Sequence, residues 1–302
     1  MKKVLIHAYT EQNLGDDMFV EYLCIRYPLV SFYIICQNRY RAAFNTISNL
    51  TILSPNESHC FSELCIQIVI GGSIFMQSKN KNILKKYSVD KKRILSNVPA
   101  HIIGANFGPY KSHLFFFLYK HWFKKLEEIT FRDEYSYNLF RLNNMRWAPD
   151  ILFNYNLPVI STKKTVSISC IKKNKRSGLK EYNEYLYFLK LGHIIEHYSR
   201  DGFKILLACF SKVQEDDIAA KKIYNLLTPK VQATTEILIY TGDIKIFLKK
   251  FLCSSYIIGT RFHSIILGWS AGIPTFPICY NEKSYNAINS YGFKGNVADI
   301  AS

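Results

Sequence analysis

Short apolar bursts rich in β-branched residues recur along this chain, separated by helix-length stretches of mixed polarity, and that alternation admits few folds. Residues 3–8, 31–36, 66–70, 99–104 and 128–131 each have the length and apolarity of a strand covered on both faces. Between them, Asp16–Arg26, Arg39–Ile47 and Lys111–Leu126 carry helical patterning. Strands alternating with helices build parallel sheets from βαβ units. The rhythm breaks at Asn154–Pro158 and then restarts. Thr165–Cys170 reads as a strand, Glu181–Arg200 as a long helix, Lys204–Cys209 as a strand and Glu215–Leu227 as a helix. Ile237–Tyr240, Tyr256–Ile258 and Pro274–Ile278 add strands, with a small-residue helix over Ser264–Ala271. The expected fold is therefore α/β with two domains, residues 1–157 and 158–302. A chain of 302 residues lets each half bury its own core.

Hydrophobic residues at 48% and charged residues at 21% exclude a disordered chain. Thirty-nine Lys and Arg against 23 Asp and Glu leave a net charge of +16. Such a field favours anionic partners: phosphorylated small molecules, anionic lipid headgroups or nucleic acid. The charge gathers in two runs, Lys79–Arg93, relieved only by Asp90, and Lys163–Lys180, which has no acid. Each reads as a solvated loop or as an anionic surface contact. Together with the aromatic run Leu114–Phe123, they raise the expectation of a peripheral contact with the inner face of a membrane. The eight cysteines include no Cys-x-x-Cys pair, so neither a zinc site nor a disulfide framework is indicated and buried, reduced thiols are expected. The longest apolar stretch, Leu114–Tyr119, is far shorter than the ~20 residues of a membrane span. The start of the chain runs from Lys2-Lys3 straight into a strand, unlike a signal peptide. These features give a cytoplasmic protein as the expectation.

In open parallel sheets, ligands bind beyond the carboxyl ends of the strands, so the residues just after each strand carry the most information. Asn13-Leu14-Gly15-Asp16 follows the first strand and opens a helix, as a helix cap or as a ligand loop. Gly71-Gly72-Ser73 follows the strand at 66–70, and paired glycines let a backbone approach a phosphate or carboxylate closely. A third glycine-bearing loop, Gly104–Pro109, contains Asn106. Arg132 ends the strand at 128–131 and is a natural anion ligand unless its neighbouring acids occupy it. The sharpest segment is Arg261-Phe262-His263-Ser264, where a strand meets a helix. Arg offers a permanent planar cation, His a proton near neutral pH, and the helix start its amides. No Gly-x-Gly-x-x-Gly, no phosphate-binding Gly-x-x-x-x-Gly-Lys-Ser/Thr and no Asp-x-Asp occurs, which removes the motifs of dinucleotide, nucleoside triphosphate and metal-dependent sugar-nucleotide sites.

Asn13–Asp16, Gly71–Ser73, Gly104–Pro109, Arg132-Asp133 with Ser136, Pro149-Asp150 and above all Arg261-Phe262-His263 with the downstream Ala271-Gly272-Ile273-Pro274 resemble the polysaccharide pyruvyl transferases. The resemblance runs from residue 3 to about residue 295. It implies two Rossmann-like domains facing a central cleft, as in GT-B glycosyltransferases, with the acceptor on the first domain and phosphoenolpyruvate on the second. It also implies transfer of a pyruvyl group from phosphoenolpyruvate to a sugar as a cyclic ketal, with a saccharide acceptor that can be lipid-linked. Arg261 and His263 match the family's phosphoenolpyruvate positions, with Arg132 as a second cation. Read this way, His263, Arg261 and Asp16 are the catalytic candidates. Arg132, Asn13, Gly15, Gly71, Gly72, Ser73, Asn106 and Ser264 are the substrate-binding candidates. No metal and no cofactor beyond the phosphoenolpyruvate donor are expected, and no nucleic acid.

Two alternatives stand beside this reading. A GT-B glycosyltransferase using a nucleotide sugar would need an acidic residue for the ribose hydroxyls late in the second domain, and Glu282 is available. An anionic-surface or nucleic-acid binding module would account for the charge of +16, although the chain shows no nucleic-acid motif.

Overall fold

The computed structural model describes residues 2–57, 63–77, 82–173 and 181–302. Contacts divide the chain into two compact units. The first comprises Met1–Thr10, Asp16–Ile151 and Tyr285–Phe293; the second comprises Glu11–Gly15, Leu152–Ser284 and Lys294–Ser302. A single cut after residue 157 lacks the two exchanged segments, Glu11–Gly15 and Tyr285–Phe293.

The first unit holds a seven-stranded parallel sheet. Its strands are β1 (Lys3–His7), β2 (Ser31–Ile35), β3 (Leu50–Leu53), β4 (Ile66–Ile70), β5 (Ala100–Ala105), β6 (Glu128–Phe131) and β7 (Met145–Trp147), in the order β3-β2-β1-β4-β5-β6-β7. Helices α1 (Leu14–Arg26), α2 (Ile83–Lys92), α3 (His113–Phe123) and α4 (Glu134–Phe140) connect them. The strand order reverses between β1 and β4, so this is the topological switch point of a Rossmann-like sheet. Aromatic rings fill one face. Phe107 meets Phe140 edge-on at 4.7 Å between centroids and Phe75 meets Phe123 at 5.0 Å. Phe115, Tyr119, Trp122 and Phe123 are buried, so one side of the run at 114–123 belongs to the core.

The second unit repeats the plan with six parallel strands: β8 (Lys163–Ser169), β9 (Lys204–Cys209), β10 (Thr235–Ile239), β11 (Ser254–Gly259), β12 (Thr275–Cys279) and β13 (Ala298–Asp299). Their order is β10-β9-β8-β11-β12-β13, with the switch point between β8 and β11. The helices are α5 (Glu184–Arg200), α6 (Asp216–Leu226), α7 (Pro229–Gln232), α8 (Ile244–Phe251), α9 (Phe262–Ser270) and α10 (Glu282–Ser290). The core here mixes aliphatic side chains such as Val166, Ile168, Leu207, Ile223 and Ile258 with aromatic ones such as Tyr187 and Phe188.

Three local expectations are corrected. The helix expected over Arg39–Ile47 is a 3-10 turn at Asn38–Ala43. The Asn, Thr and Ser that follow favour turns, and Asn49 ties the carbonyls of Cys24, Tyr27 and Val30 instead. The described part of the Lys79–Arg93 run is mostly helix rather than loop, because Asn82 caps α2 through the amides of Leu84 and Lys85. Lys79, Lys81 and the segment 174–180 of the second basic run lie outside the described residues, as does Cys60. Of the described thiols, Cys65 is exposed and Cys253 partly so, whereas the rest are buried. Burial pushes the Cys24 thiol up to about 12 and also raises those of Cys170 and Cys209 well above the ordinary thiol value. Among the described residues no helix is long and apolar enough to cross a membrane.

Candidate active site

In the second unit, the strand ends at the switch point converge on Arg261 and His263. β11 delivers Thr260, and α9 begins immediately after Arg261, which stands at its N-cap without a side-chain cap bond. Ser169, at the end of β8, fastens this junction. Its Oγ accepts the amides of Thr260 and Arg261 at 3.0 and 3.1 Å and lies 2.6 Å from Ser264 Oγ. Ser264 Oγ in turn donates to the Arg261 carbonyl at 2.6 Å. Two amides aimed at one oxygen fix the direction of the relay, Ser169 donating to Ser264 and Ser264 to the carbonyl. Ser264, expected among the binding residues, is fully buried in this arrangement and secures the strand–helix corner.

Arg261 is likewise buried, and its guanidinium is held inside the protein. Nε donates to Asp216 Oδ2 at 2.9 Å, Nη2 to Asp216 Oδ1, and Nη1 to Gln214. Burial works against the charge on Arg261. Asp216 outweighs it, through its charge and hydrogen bonds, and holds the guanidinium above its ordinary pKa. Asp216 also accepts the amides of Phe210 and Ser211 at 3.1 and 3.0 Å, so one carboxylate ties the β9–α6 turn to the β11–α9 corner. Removing one member of such a buried pair costs on the order of 3–5 kcal/mol. Beside this carboxylate, the Ser211 hydroxyl is buried with no hydrogen-bond partner among the described residues.

His263, two residues on, is only half-buried, in the first turn of α9. Its imidazole lies against Gly15: a β-carbon built on Gly15 would fall 1.7 Å from His263 Nδ1. That approach requires glycine at 15. Gly15 is inside the first turn of α1, one residue after Leu14, whose amide bonds the Phe210 carbonyl at 3.1 Å. The helix thus starts two residues earlier than the sequence suggested. Asn13 precedes it and Asp16 stands half-exposed in its first turn.

The first unit carries a separate polar cluster built around Arg132. Its Nε donates to Asn106 Oδ1 at 2.6 Å and its Nη1 to Asp150 Oδ2 at 2.9 Å. Asn106 Nδ2 donates to Asp133, which caps α4 through the Ser136 amide and accepts the Ser136 hydroxyl. Ser136 Oγ accepts the Phe107 amide at 2.8 Å. Tyr291 closes the ring, accepting the Asp150 amide and donating to the Arg132 carbonyl. Burial, and then the charge of Asp150, push the Tyr291 phenol far above its ordinary value, which keeps it a neutral donor. Arg132 is thus buried beside a buried carboxylate. The guanidinium lies flat on Gly72, where a β-carbon would come within 2.1 Å of Nη2. Gly71, with φ of +144°, turns the chain out of β4, and Ser73 is exposed after it.

The strand ends are thus legible in the sequence, whereas Asp216, Gln214, Ser169, Ser211 and Tyr291 join the clusters only in the fold. The run Gln214–Asp217 after the strand at 204–209 is a junction of the same kind as Arg261–Ser264, and its acids were the available signal.

In solved structures this fold recurs. Methanocaldococcus jannaschii UDP-GlcNAc 2-epimerase, in complex with UDP-GlcNAc and UDP, aligns over 99% of this chain and 88% of its own at 12% identity and a TM-score of 0.59. Anabaena Alr3699/HepE, in complex with UDP-glucose, aligns over 99% and 85% at 8% identity and 0.60. E. coli ADP-heptose lps heptosyltransferase II aligns over 98% and 90% at 12% identity and 0.51. At these identities the likeness is one of fold, two Rossmann-like units of the GT-B kind. Among curated proteins none matches the sequence. The model of one family does match, over residues 12–282, a span that takes in the β8/β11 switch point and every residue of the Arg261 and Arg132 clusters except Tyr291. The chain belongs to the polysaccharide pyruvyl transferases.

Proposed function

We propose that this enzyme transfers the pyruvyl group of phosphoenolpyruvate to two hydroxyls of a saccharide, forming a cyclic ketal, and that the donor binds in the second unit at the start of α9. The observation that carries this reading is the grouping at the β8/β11 switch point. A half-buried imidazole in the first turn of α9 follows, two residues on, a rigidly held guanidinium, and the Asp216 that holds the guanidinium also accepts the amide of Ser211, whose buried hydroxyl has no partner among the described residues. A helix start favours the dianionic phosphate, and Ser211 Oγ gains the partner it lacks when an anion arrives.

In the reaction, a proton is added to the methylene carbon of the enol, leaving positive charge shared between C2 and its oxygen. One hydroxyl adds to C2, the bond from C2 to the phosphate oxygen breaks, and the second hydroxyl adds. Two C–O bonds form, one breaks, one hydroxyl proton is balanced by the new C–H bond and the other leaves with phosphate. His263 is the group placed to bind the phosphate and to move a proton. Arg261 acts as a positioning residue: through Asp216 it fixes both turns that shape the site. Arg132 holds the strand ends of the first unit in the same manner, and Asp16 is the candidate for orienting an acceptor hydroxyl.

A ligand that binds only the folded state raises its stability by mass action, about 2.7 kcal/mol at a hundredfold excess over Kd. Thermal unfolding with phosphoenolpyruvate should therefore show a raised midpoint that His263→Ala abolishes, and UDP-glucose should leave the midpoint unchanged. A shift with UDP-glucose and none with phosphoenolpyruvate would favour the nucleotide-sugar alternative.

A further inference from the structure

Helices α2 and α3 form one layer of the first unit. They link β4 to β5 and β5 to β6, successive steps in one direction across the sheet, and right-handed crossovers place both on one face. Tyr87 of α2 meets Tyr119 and Trp122 of α3 edge-on, with 5.6 and 6.2 Å between centroids. Their inner sides join the aromatic core, and their outer sides are presented together.

Those outer sides combine two features that a solvated helix pair lacks. The first is exposed apolar bulk: Leu84, Leu114 and Phe117 are 56%, 50% and 60% exposed. Phe117 has Leu114, His113, Lys120 and His121 as its neighbours three and four residues away on the helix surface. The second is charge of one sign. Between residues 82 and 126 there are nine Lys and Arg and one acid, Asp90. Asp90 is buried, paired with Lys86 and accepting from Tyr119 Oη at 2.5 Å, so no acid of this layer is exposed. Ordinary solvent-facing helices interleave both signs.

We infer that the α2–α3 layer is a docking surface for an anionic lipid bilayer. Apolar tips set among cations suit the headgroup–acyl boundary, where Leu84, Leu114 and Phe117 enter the apolar edge and the ammonium groups meet lipid phosphates. A nucleic acid would engage the cations and stack on Phe117, but it has no counterpart for the two exposed leucines. The inference stands apart from the choice of donor.

The test is sedimentation of the full chain with vesicles of phosphatidylcholine, alone or mixed with phosphatidylglycerol. Binding should appear with the anionic lipid and weaken with salt. Lys124→Gln/Lys125→Gln, two exposed positions directly after α3, should lower the partition coefficient about 30-fold, and Phe117→Ser roughly tenfold or more. Lys245→Gln/Lys249→Gln, which makes the same change of charge on α8, should bind as wild type does. Binding indifferent to anionic lipid overturns the inference. So does an equal loss in the α8 variant, which would mean general attraction to a protein of charge +16. Absence of vesicle binding together with oligonucleotide binding that Lys124→Gln/Lys125→Gln weakens would make this a nucleic-acid surface and would also overturn it.

Discussion

The contact between Gly15 and His263 joins residues 248 positions apart in sequence, and no local pattern announces it. Each half reads plausibly alone, Gly15 as a turn glycine and His263 as a lone histidine. Only the fold shows that the imidazole occupies the place of a side chain at 15. Gly15→Ala should cost about 1–3 kcal/mol in thermal or urea unfolding, because it overpacks the site. In a His263→Ala background the same change should be neutral or stabilising, since alanine is the better helix former. A double-mutant cycle with no coupling between the two positions would contradict the contact. Arg261 illustrates the opposite case. Its position at a strand end marks it as a candidate, and the fold adds that it is buried and held by the Asp216 carboxylate. Its chemistry was readable from sequence, and its partner, 45 residues upstream, was not.

Among the elements, those with unbroken apolar runs or a clear period were legible, the four-residue β6 included. β1, β2, β4, β9 and α5 carry strong periodicity or unbroken apolar runs. β3, β7 and β13 span four, three and two residues, too few for a period to show. α2, dense in lysine, reads as a solvated loop until its Asn82 cap and its inward Ile83, Tyr87 and Asp90 are seen together. The β1–β4 pair holds a further link invisible in sequence. His7 Nε2 lies 3.2 Å from Gln67 Oε1, and Gln67 Nε2 donates to the carbonyls of Leu95 and Val98 at 2.7 Å each. Those carbonyls fix the amide orientation, so the imidazole nitrogen facing Oε1 is the protonated one. Burial lowers the His7 pKa below its ordinary 6.5. The unfolded chain then takes up the proton first as pH falls, so this contribution is complete above that value and is lost as pH drops below it. The unfolding midpoint should fall between pH 7.5 and 5.5, and His7→Gln should flatten that slope. Parallel profiles for the two proteins would contradict the assignment.

Across the whole molecule, the doubled α/β plan was legible because the strand–helix rhythm stops and restarts. The exchange of Glu11–Gly15 and Tyr285–Phe293 between the units was not, since both segments sit within ordinary helix signals. Each unit places its most constrained polar residues at or beside the carboxyl ends of its strands. In the second unit these are Ser169, Asp216, Arg261 and His263; in the first they are Asn106, Arg132, Asp133 and Asp150. The two clusters are not alike in chemistry, since the second carries a partly exposed imidazole, His263, and the first does not. Under the proposed function, the start of α9 is the donor site and ketal formation the reaction. The most direct measurement is mass spectrometry of a galactose- or glucosamine-type acceptor incubated with the protein and phosphoenolpyruvate. The account predicts an acceptor heavier by one pyruvate less one water, with phosphate released in equal amount and the rate lowered roughly 10²–10⁴-fold in His263→Ala. A ketal formed at the wild-type rate by that variant, or glycosyl transfer from a nucleotide sugar in place of any ketal, would contradict it.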